Sequence, residues 1–303
     1  MASPAALGTL AQALKEALVV QAPLAPHAMV GVGGPSDGLI VVHSRESLIE
    51  ALRLTWETGV PWRVFGGLTN VLLPDSGLRG VVILNQAREV QFNNDCLVWA
   101  ASGALIVKVA REAVRQGWGG LTWAVGLPGT VGGAIVNNAG AFGGEISRTL
   151  TFAEVLEPGK DPQQVGPDWF DFTYRCSRLK GVGQQAVVLS ATFHLTARDL
   201  EELSRKATEY SERRLRTQPP GKTLGSTFKN PPGDYAGRLI EAAGLKGMRC
   251  GGFVVSMQHA NFLMNDAGGT AVEFRTLVRL IQDRVQEQFG IWLEPEIEIL
   301  PEA

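Results

Sequence analysis

The spacing of apolar residues changes period several times along the chain, and each change marks an element. The first twenty-five or so residues read as an amphipathic helix, with Lys15 and Glu16 in the middle of its apolar part. A secretory leader places positive charge before the apolar run, so the order here is the wrong one. Leu39-Ile-Val-Val42 is an unbroken apolar run, as in a buried strand. Ser44 then caps a helix whose apolar face is Leu48, Ala51, Leu52 and Trp56 and which Gly59 and Pro61 stop. Trp62-Arg-Val-Phe65 and Gly80-Val-Val-Ile-Leu84 follow as strands, which completes a small α/β lobe.

A second series begins with a strand at Leu97-Val-Trp-Ala-Ala101 and a helix from Ala104 to Gln116 ended by Gly117. After a glycine-rich stretch, 150–156 and 186–196 alternate and are β-branched, as strands are. The third series opens at Asp199, which with Glu202 resembles a capping box, and its helix runs to about Leu215. Beyond the Gln218-Pro-Pro-Gly221 loop come a short helix from about Tyr235 to Ala243 and a strand at 252–257. A long helix opens with Thr270-x-x-Glu273, buries Leu277, Leu280, Ile281 and Val285, and stops at Gly290; a last strand is expected from Ile291 to Leu300. The three series predict three lobes at residues 1–85, 86–198 and 199–303, with no internal repeat.

Composition narrows the class. At 303 residues with 45% hydrophobic and 19% charged positions, the chain suits a globular protein with a real core, and disorder, collagen and coiled coil are excluded. Lys plus Arg number 28 against 30 Asp plus Glu, so no global field recruits nucleic acid or membrane. No apolar stretch is long enough for a spanning helix. Three widely spaced cysteines and four scattered histidines show neither a disulfide framework nor a metal-ligand motif, and point to a reducing cytoplasm. Charge is nevertheless uneven. Between Arg205 and Arg249 ten basic residues face four acidic ones, a local +6 that suggests an anionic substrate.

Glycine carries the chemistry. Ten of the 28 residues from Gly117 to Gly144 are glycine, more than any turn requires, which suggests backbone brought close to a ligand. Gly126-Leu-Pro-Gly-Thr-Val-Gly-Gly133, running into Asn137-Asn-Ala-Gly-Ala141, suits backbone lying against a flat aromatic ligand and its phosphates. Gly66-Gly-Leu-Thr-Asn70, directly after a strand, can point successive N–H groups at one anion. Two other motifs fail: Gly31-Val-Gly-Gly-Pro-Ser36 ends in Ser where a dinucleotide fingerprint needs Gly, and the loop before Gly221-Lys-Thr223 has Arg at 216 where a P-loop needs Gly.

In combination the motifs resemble those of the UDP-N-acetylenolpyruvoylglucosamine reductase (UDP-N-acetylmuramate dehydrogenase) family, over essentially the whole chain from about His27. The resemblance rests on Gly33-Gly-Pro35, Gly66-Gly-x-x-Asn70, Gly129-Thr-Val-Gly-Gly133 with Asn138-Ala-Gly-Ala141, Tyr174-Arg175-x-Ser177, Gly225-Ser226-x-Phe-Lys-Asn230-Pro, His259-Ala-Asn-Phe262-x-x-Asn265 and Pro295-Glu296. It implies an α+β chain: an FAD-binding fold of the vanillyl-alcohol-oxidase type, made of two lobes, plus a C-terminal α+β substrate lobe whose last strand carries a catalytic Glu. With no extra tyrosine loop, the shorter subtype is implied.

The same resemblance implies roles for individual residues. FAD would be held without a covalent bond by Gly66, Gly67, Leu68, Thr69 and Asn70, and by Gly126, Pro128, Gly129, Thr130, Gly132, Gly133, Asn138, Ala139 and Gly140. NADPH would reduce the flavin, and hydride would pass to the vinyl carbon of the UDP-sugar enolpyruvyl ether. Arg175 and Glu296 would stabilise the enolate and Ser226 would protonate it; Tyr174, Lys229, Asn230, Arg238, Arg249 and His259 would bind substrate. The step belongs to peptidoglycan synthesis, and hence to cell wall biogenesis, cell shape and cell division, in the cytoplasm, by a monomer without metal. The chain departs from the family pattern at Gly31, where a basic residue is common, and at Phe65 and Leu68 around the first glycine loop. Two rivals differ in class. An oxidase or dehydrogenase on the same fold would attach FAD through a His in the first glycine loop, and none lies between Gly66 and Gly80; a nucleotide-sugar or RNA-binding module would need more aromatics than Tyr210, Phe228 and Tyr235.

Overall fold

A computed structural model describes residues 4–14, 18–181 and 186–302, so Lys15 and Glu16 lie outside the described residues. The N-terminal helix spans Pro4–Ala13. The chain forms two compact units. The first comprises Met1–Gln21, Asp37–Gly67 and Arg79–Arg213, and the second Ala22–Ser36, Leu68–Leu78 and Arg214–Ala303.

The first unit holds two cores. In one, strands Trp62–Phe65 and Leu78–Asn85 run parallel, pairing Trp62 with Val81 through Phe65 with Leu84. Helix Arg45–Glu57 begins where Ser44 folds back on Ser47 in a reciprocal cap. It buries Leu48, Ala51 and Leu52 as expected, but Thr55 takes the buried place assigned to Trp56, with its hydroxyl donating to the Ala51 carbonyl at 2.6 Å. Trp56 lies at the rim, edge-on to Trp62 at 5.5 Å, where its larger ring still covers apolar surface.

The other core lies on a five-stranded antiparallel sheet, in the order Gln163–Val165, Leu150–Leu156, Val187–His194, Leu97–Ala101 and Val90–Phe92. Helix Ile106–Arg115 buries Ile106, Val109, Ala110, Ala113 and Val114, a 3.6-residue stripe. Helix Leu200–Thr217 starts with the Asp199 carboxylate accepting from the Glu202 amide at 2.8 Å. The second half of the expected box is missing, because Glu202 pairs with Lys206 instead.

In the second unit a four-stranded antiparallel sheet runs Thr223–Ser226, Phe262–Asn265, Phe253–Val255, Arg249–Cys250. Helix Ala271–Phe289 has the Thr270–Glu273 box and ends at Gly290 in the left-handed region, both as the sequence predicts. Leu280, however, is 42% exposed. It sits about 100° round the helix from Ile281, off the stripe of Phe274, Leu277, Val278, Ile281 and Val285. The expected strand from 291 to 300 shrinks to Glu298–Ile299, which pairs with Val71–Leu72. Pro295 has no N–H to give a ladder, and only an isolated bridge to Phe228 marks its position. Among the described residues no helix is long and apolar enough to cross a membrane, and no group of three or more His, Cys, Asp or Glu could hold a metal ion.

Candidate active site

The two glycine motifs of the sequence meet at Thr130. This residue is 2% exposed and caps helix Val131–Val136, with its hydroxyl accepting from the Gly133 amide. Gly66 opens the turn after strand Trp62–Phe65, and a Cβ there would collide with the Thr130 side chain. Only glycine lets that turn rest on the cap, 64 positions away in sequence.

Several backbone groups of the glycine segment are bonded within the fold. The Val131 and Gly132 amides already donate to Ala104 and Ser102, each at 2.8 Å, and a Cβ on Gly132 would press on Ser102. Packing against Ser102 thus leaves no room for a side chain at 132. The Gly129 carbonyl accepts from Ile106, and both backbone groups of Ala139 are paired, with Ala134 and Ile146. By contrast, among the described residues the amides of Gly66 and Gly67 donate to no protein acceptor, although both residues are half-buried. Free, half-buried donors in a glycine turn suit a phosphate-bearing cofactor. Gly126 and Gly133 are at least partly open, and Pro128 is exposed.

Asn138, 2% exposed and at φ +40°, is an internal staple. Its Nδ2 donates to the Thr173 carbonyl at 3.0 Å and its Oδ1 accepts from the Ser147 amide at 3.2 Å. The staple ties the end of the glycine segment to a tight turn in which Thr173 and Cys176 exchange backbone bonds around Tyr174 and Arg175. Ser177 adds a second tie, donating to the Val136 carbonyl at 2.7 Å. Arg175 occupies φ +57°, an uncommon conformation for a side chain of that size and one that costs of order 1 kcal/mol or more. Its guanidinium donates to the Gly140 carbonyl at 2.5 Å and lies 4.9 Å from the Tyr174 ring centroid, which is 48% exposed. Three of the expected elements, the glycine segment, Tyr174 and Arg175, are thus one cluster of the first unit.

The second unit brings together Ser226 and Glu296. Strand Thr223–Ser226 pairs Ser226 with Phe262, and one residue later the Thr227 carbonyl accepts from the Glu296 amide at 2.8 Å. Lys229 donates from its amide to the Glu294 carbonyl at 2.8 Å, and its ammonium pairs with the Glu294 carboxylate at 2.6 Å. Asn70 joins the same segment: its Nδ2 donates to the Glu296 carbonyl at 3.3 Å and its carbonyl accepts from Glu298. Leu68 is buried at φ +47°, and its carbonyl accepts from Met29 at 3.2 Å, so the departure from glycine there is absorbed by packing. Thr69 is half-buried. Gly31, at φ +70°, has the Lys222 side chain across it, 3.2 Å from where a Cβ would stand.

Sequence reasoning missed Asn261. It is 3% exposed, and its side-chain amide clips Phe228 from both sides, accepting from the Phe228 amide at 2.9 Å and donating to the Phe228 carbonyl at 2.8 Å. That clip sets the path of 226–230. Asn261 lies within the His259-Ala-Asn-Phe262 motif, where the sequence reading gave a role to His259 alone.

The remaining expected substrate residues are occupied within the fold. Asn230 accepts from the Ala236 amide and so opens helix Ala236–Ala242. Arg238 pairs with Asp234, which that guanidinium and the Tyr235 amide hold down to a pKa of about 2. Arg249 pairs with Asp266. Burial pushes His259 below its ordinary value, and its Nδ1 accepts from the Asn261 amide at 3.2 Å, so the neutral ring carries its proton on Nε2. Among the described residues at least six of the ten basic residues behind the local +6 form ion pairs: Arg205, Lys206, Lys229, Arg238, Lys246 and Arg249. The net positive field is smaller than the count implied.

Residues 36–159 match the FAD-binding domain family, and residues 213–300 match the C-terminal domain of UDP-N-acetylenolpyruvoylglucosamine reductase. With open amides in a glycine turn and a polar cluster at the end of a second glycine segment, these matches define a flavoprotein oxidoreductase built on the vanillyl-alcohol-oxidase type of fold. The relatives are specific. The chain is 42% identical to the UDP-N-acetylenolpyruvoylglucosamine reductase of Rubrobacter xylanophilus, over 97% of this chain and 99% of that protein, and 40% identical to that of Caldicellulosiruptor saccharolyticus, over 92% and 91%. The crystal structure of the Thermus caldophilus enzyme superposes with a TM-score of 0.80 at 34% identity, covering 95% of this chain and all of that one. The chain belongs to the UDP-N-acetylenolpyruvoylglucosamine reductase family, flavoenzymes of peptidoglycan precursor synthesis that use FAD and NADPH.

Proposed function

We propose that this chain, as a cytoplasmic monomer, reduces the enolpyruvyl group of UDP-N-acetylglucosamine enolpyruvate to give UDP-N-acetylmuramate, with Arg175, Ser226 and Glu296 as the catalytic residues. The observation that carries the residue assignment is the bond from the Glu296 amide to the Thr227 carbonyl, which sets Glu296 beside the strand end that holds Ser226. Three ligand-handling lobes, at 1–85, 86–198 and 199–303, are part of this reading, and the number of hydrophobic cores favours three. The cores cross those bounds, with Val30, Val32 and Leu72 in the core of the third and Leu203 in that of the second.

The redox chemistry would be supplied by bound FAD, as two electrons from NADPH passed on as hydride to the terminal vinyl carbon. The Gly66–Asn70 turn and the Gly126–Gly133 segment would hold it, the first through open amides that suit a pyrophosphate. With no His between Gly66 and Gly80, attachment is non-covalent.

The chain's own residues handle the charge and the proton. As hydride arrives, negative charge builds on the substrate carboxylate to form an enolate, and the Arg175 guanidinium supplies the opposite charge. A carboxyl group beside an enolate helps only while it carries its own proton, so Glu296 acts as a hydrogen-bond donor. Ser226 Oγ then gives its proton to the adjacent carbon and recovers one from water. A serine hydroxyl is a weak acid, and the transfer relies on the high basicity of the enolate and on nearby cations such as Lys229. Tyr174, Lys229, Asn230, Arg238, Arg249 and His259 would contact the UDP-sugar, its diphosphate drawing Lys229 and the arginines away from their carboxylate partners.

Stopped-flow kinetics of Ser226→Ala tests the reading. Reduction of bound FAD by NADPH should proceed at the wild-type rate, and reoxidation by the enolpyruvyl UDP-sugar should fall by about 10²- to 10⁴-fold. Equal loss in both half-reactions would remove Ser226 from the proton transfer.

A further inference from the structure

Tyr210 stands on helix Leu200–Thr217, a helix that buries only Leu203 fully among its described residues. Its ring nevertheless has a specific partner. Tyr210 and Phe142 stack with centroids 4.3 Å apart and planes 4° from parallel, and the Arg213 guanidinium, one turn along the same helix, lies 5.5 Å from the Phe142 centroid. So Phe142 is held from the helix by a ring and a cation.

Phe142 is the tip of a hairpin in which Gly140 and Ala141 pair with Glu145 and Gly144. Phe142 and Gly143 take φ +50° and +82°, the two-residue turn with both centres left-handed. A phenylalanine gains nothing in such a turn from its own conformation, and it stays there because contacts around it fix it. The two strands of the hairpin are closely packed, while the space beside Gly143 in the turn is open: a Cβ on Gly144 would overlap the Trp123 ring, and one on Gly140 would overlap the Gly144 carbonyl and stand 3.0 Å from Arg175 Nη1. At the base, the Gly140 carbonyl accepts the hydrogen bond from Arg175 Nη2. The aromatic stack at the tip and the acceptor at the base thus belong to one hairpin.

We propose that Tyr210 is a positioning residue for the reaction: stacked on Phe142, it holds the hairpin so that the Gly140 carbonyl aims the Arg175 guanidinium at the enolate. This rests on the reading of Arg175 given above. Tyr210 touches neither flavin nor substrate in this scheme and acts only through the hairpin.

Three variants separate the contributions. Tyr210→Phe keeps the stack, Tyr210→Leu keeps apolar burial without it, and Tyr210→Ala removes both. Reoxidation of reduced enzyme by the enolpyruvyl UDP-sugar should slow roughly three- to ten-fold in the Leu and Ala variants, the range a lost aromatic pair supports, and stay near wild type in the Phe variant. Reduction by NADPH should be unchanged in all three. On the flavin-free protein, amide hydrogen exchange over 140–145 should quicken by a similar factor in Tyr210→Leu and stay at the wild-type rate in Tyr210→Phe. Wild-type exchange and reoxidation in Tyr210→Leu would overturn the proposal, as would equal losses in the Leu and Phe variants. If Arg175→Ala itself left reoxidation intact, the reading of Arg175 would fail, while the exchange measurement would still report whether the stack holds the hairpin.

Discussion

Replacing Asn261 by alanine removes a clip whose size can be worked out from its geometry. The Asn261 side chain satisfies both backbone groups of Phe228, at 2.9 and 2.8 Å, and Asn261 and Phe228 are 3% and 1% exposed. Alanine leaves a buried N–H and a buried C=O without partners, each costing about 1–3 kcal/mol. Water entering the vacated volume recovers part of this, so the expected loss is about 2–4 kcal/mol. With a urea m-value of about 2 kcal/mol/M, the unfolding midpoint followed by far-UV circular dichroism should drop by roughly 1–2 M. Turnover should fall as well, because the clip sets the path from Ser226 to Asn230. Asn261→Asp adds a signed check: its carboxylate still accepts from the Phe228 amide but donates to the carbonyl only when protonated. Burial raises the pKa of such a group, so that variant should be least stable above pH 4 and recover as pH falls. A loss below 1 kcal/mol in Asn261→Ala, with turnover intact, would refute the clip.

Gly66→Ala should purify with less flavin per protein, read from the visible absorbance, because its Cβ meets a fully packed Thr130; full flavin content would show that the turn can shift. Arg175→Ala should lower kcat far more than it raises KM, whereas a pure KM effect would make Arg175 a binding residue only. Asp234, held at a pKa of about 2 against an ordinary 3.8, contributes stability above pH 3.8 that is lost as pH falls toward 2. Asp234→Asn should flatten that part of the acid-unfolding curve, and an unchanged curve would show that the Arg238 pair does not persist in solution. His259, also depressed, withholds stability as pH falls below its ordinary value of 6.5, so His259→Gln should lessen the loss of stability expected below pH 6.5.

Much of this protein could be read directly from its chain, for a physical reason. Caps and stops act over three or four residues, so Ser44, the Thr270–Glu273 box and Gly290 announced their helices correctly. The family is legible for the same reason, since its motifs are short runs of glycine and polar residues whose spacing needs no fold to be seen. Packing between distant residues decided the rest. Tertiary contact put Gly66 against Thr130, set Gly132 against Ser102, and closed Asn261 on Phe228. It turned Leu280 outward and left Pro295 without a ladder. It also set at least six of the ten basic side chains, among the described residues, against carboxylates that a running sum of charge does not locate. Sequence period reports which side of an element is apolar; only the folded chain determines what that side, and each polar group beside it, finally meets.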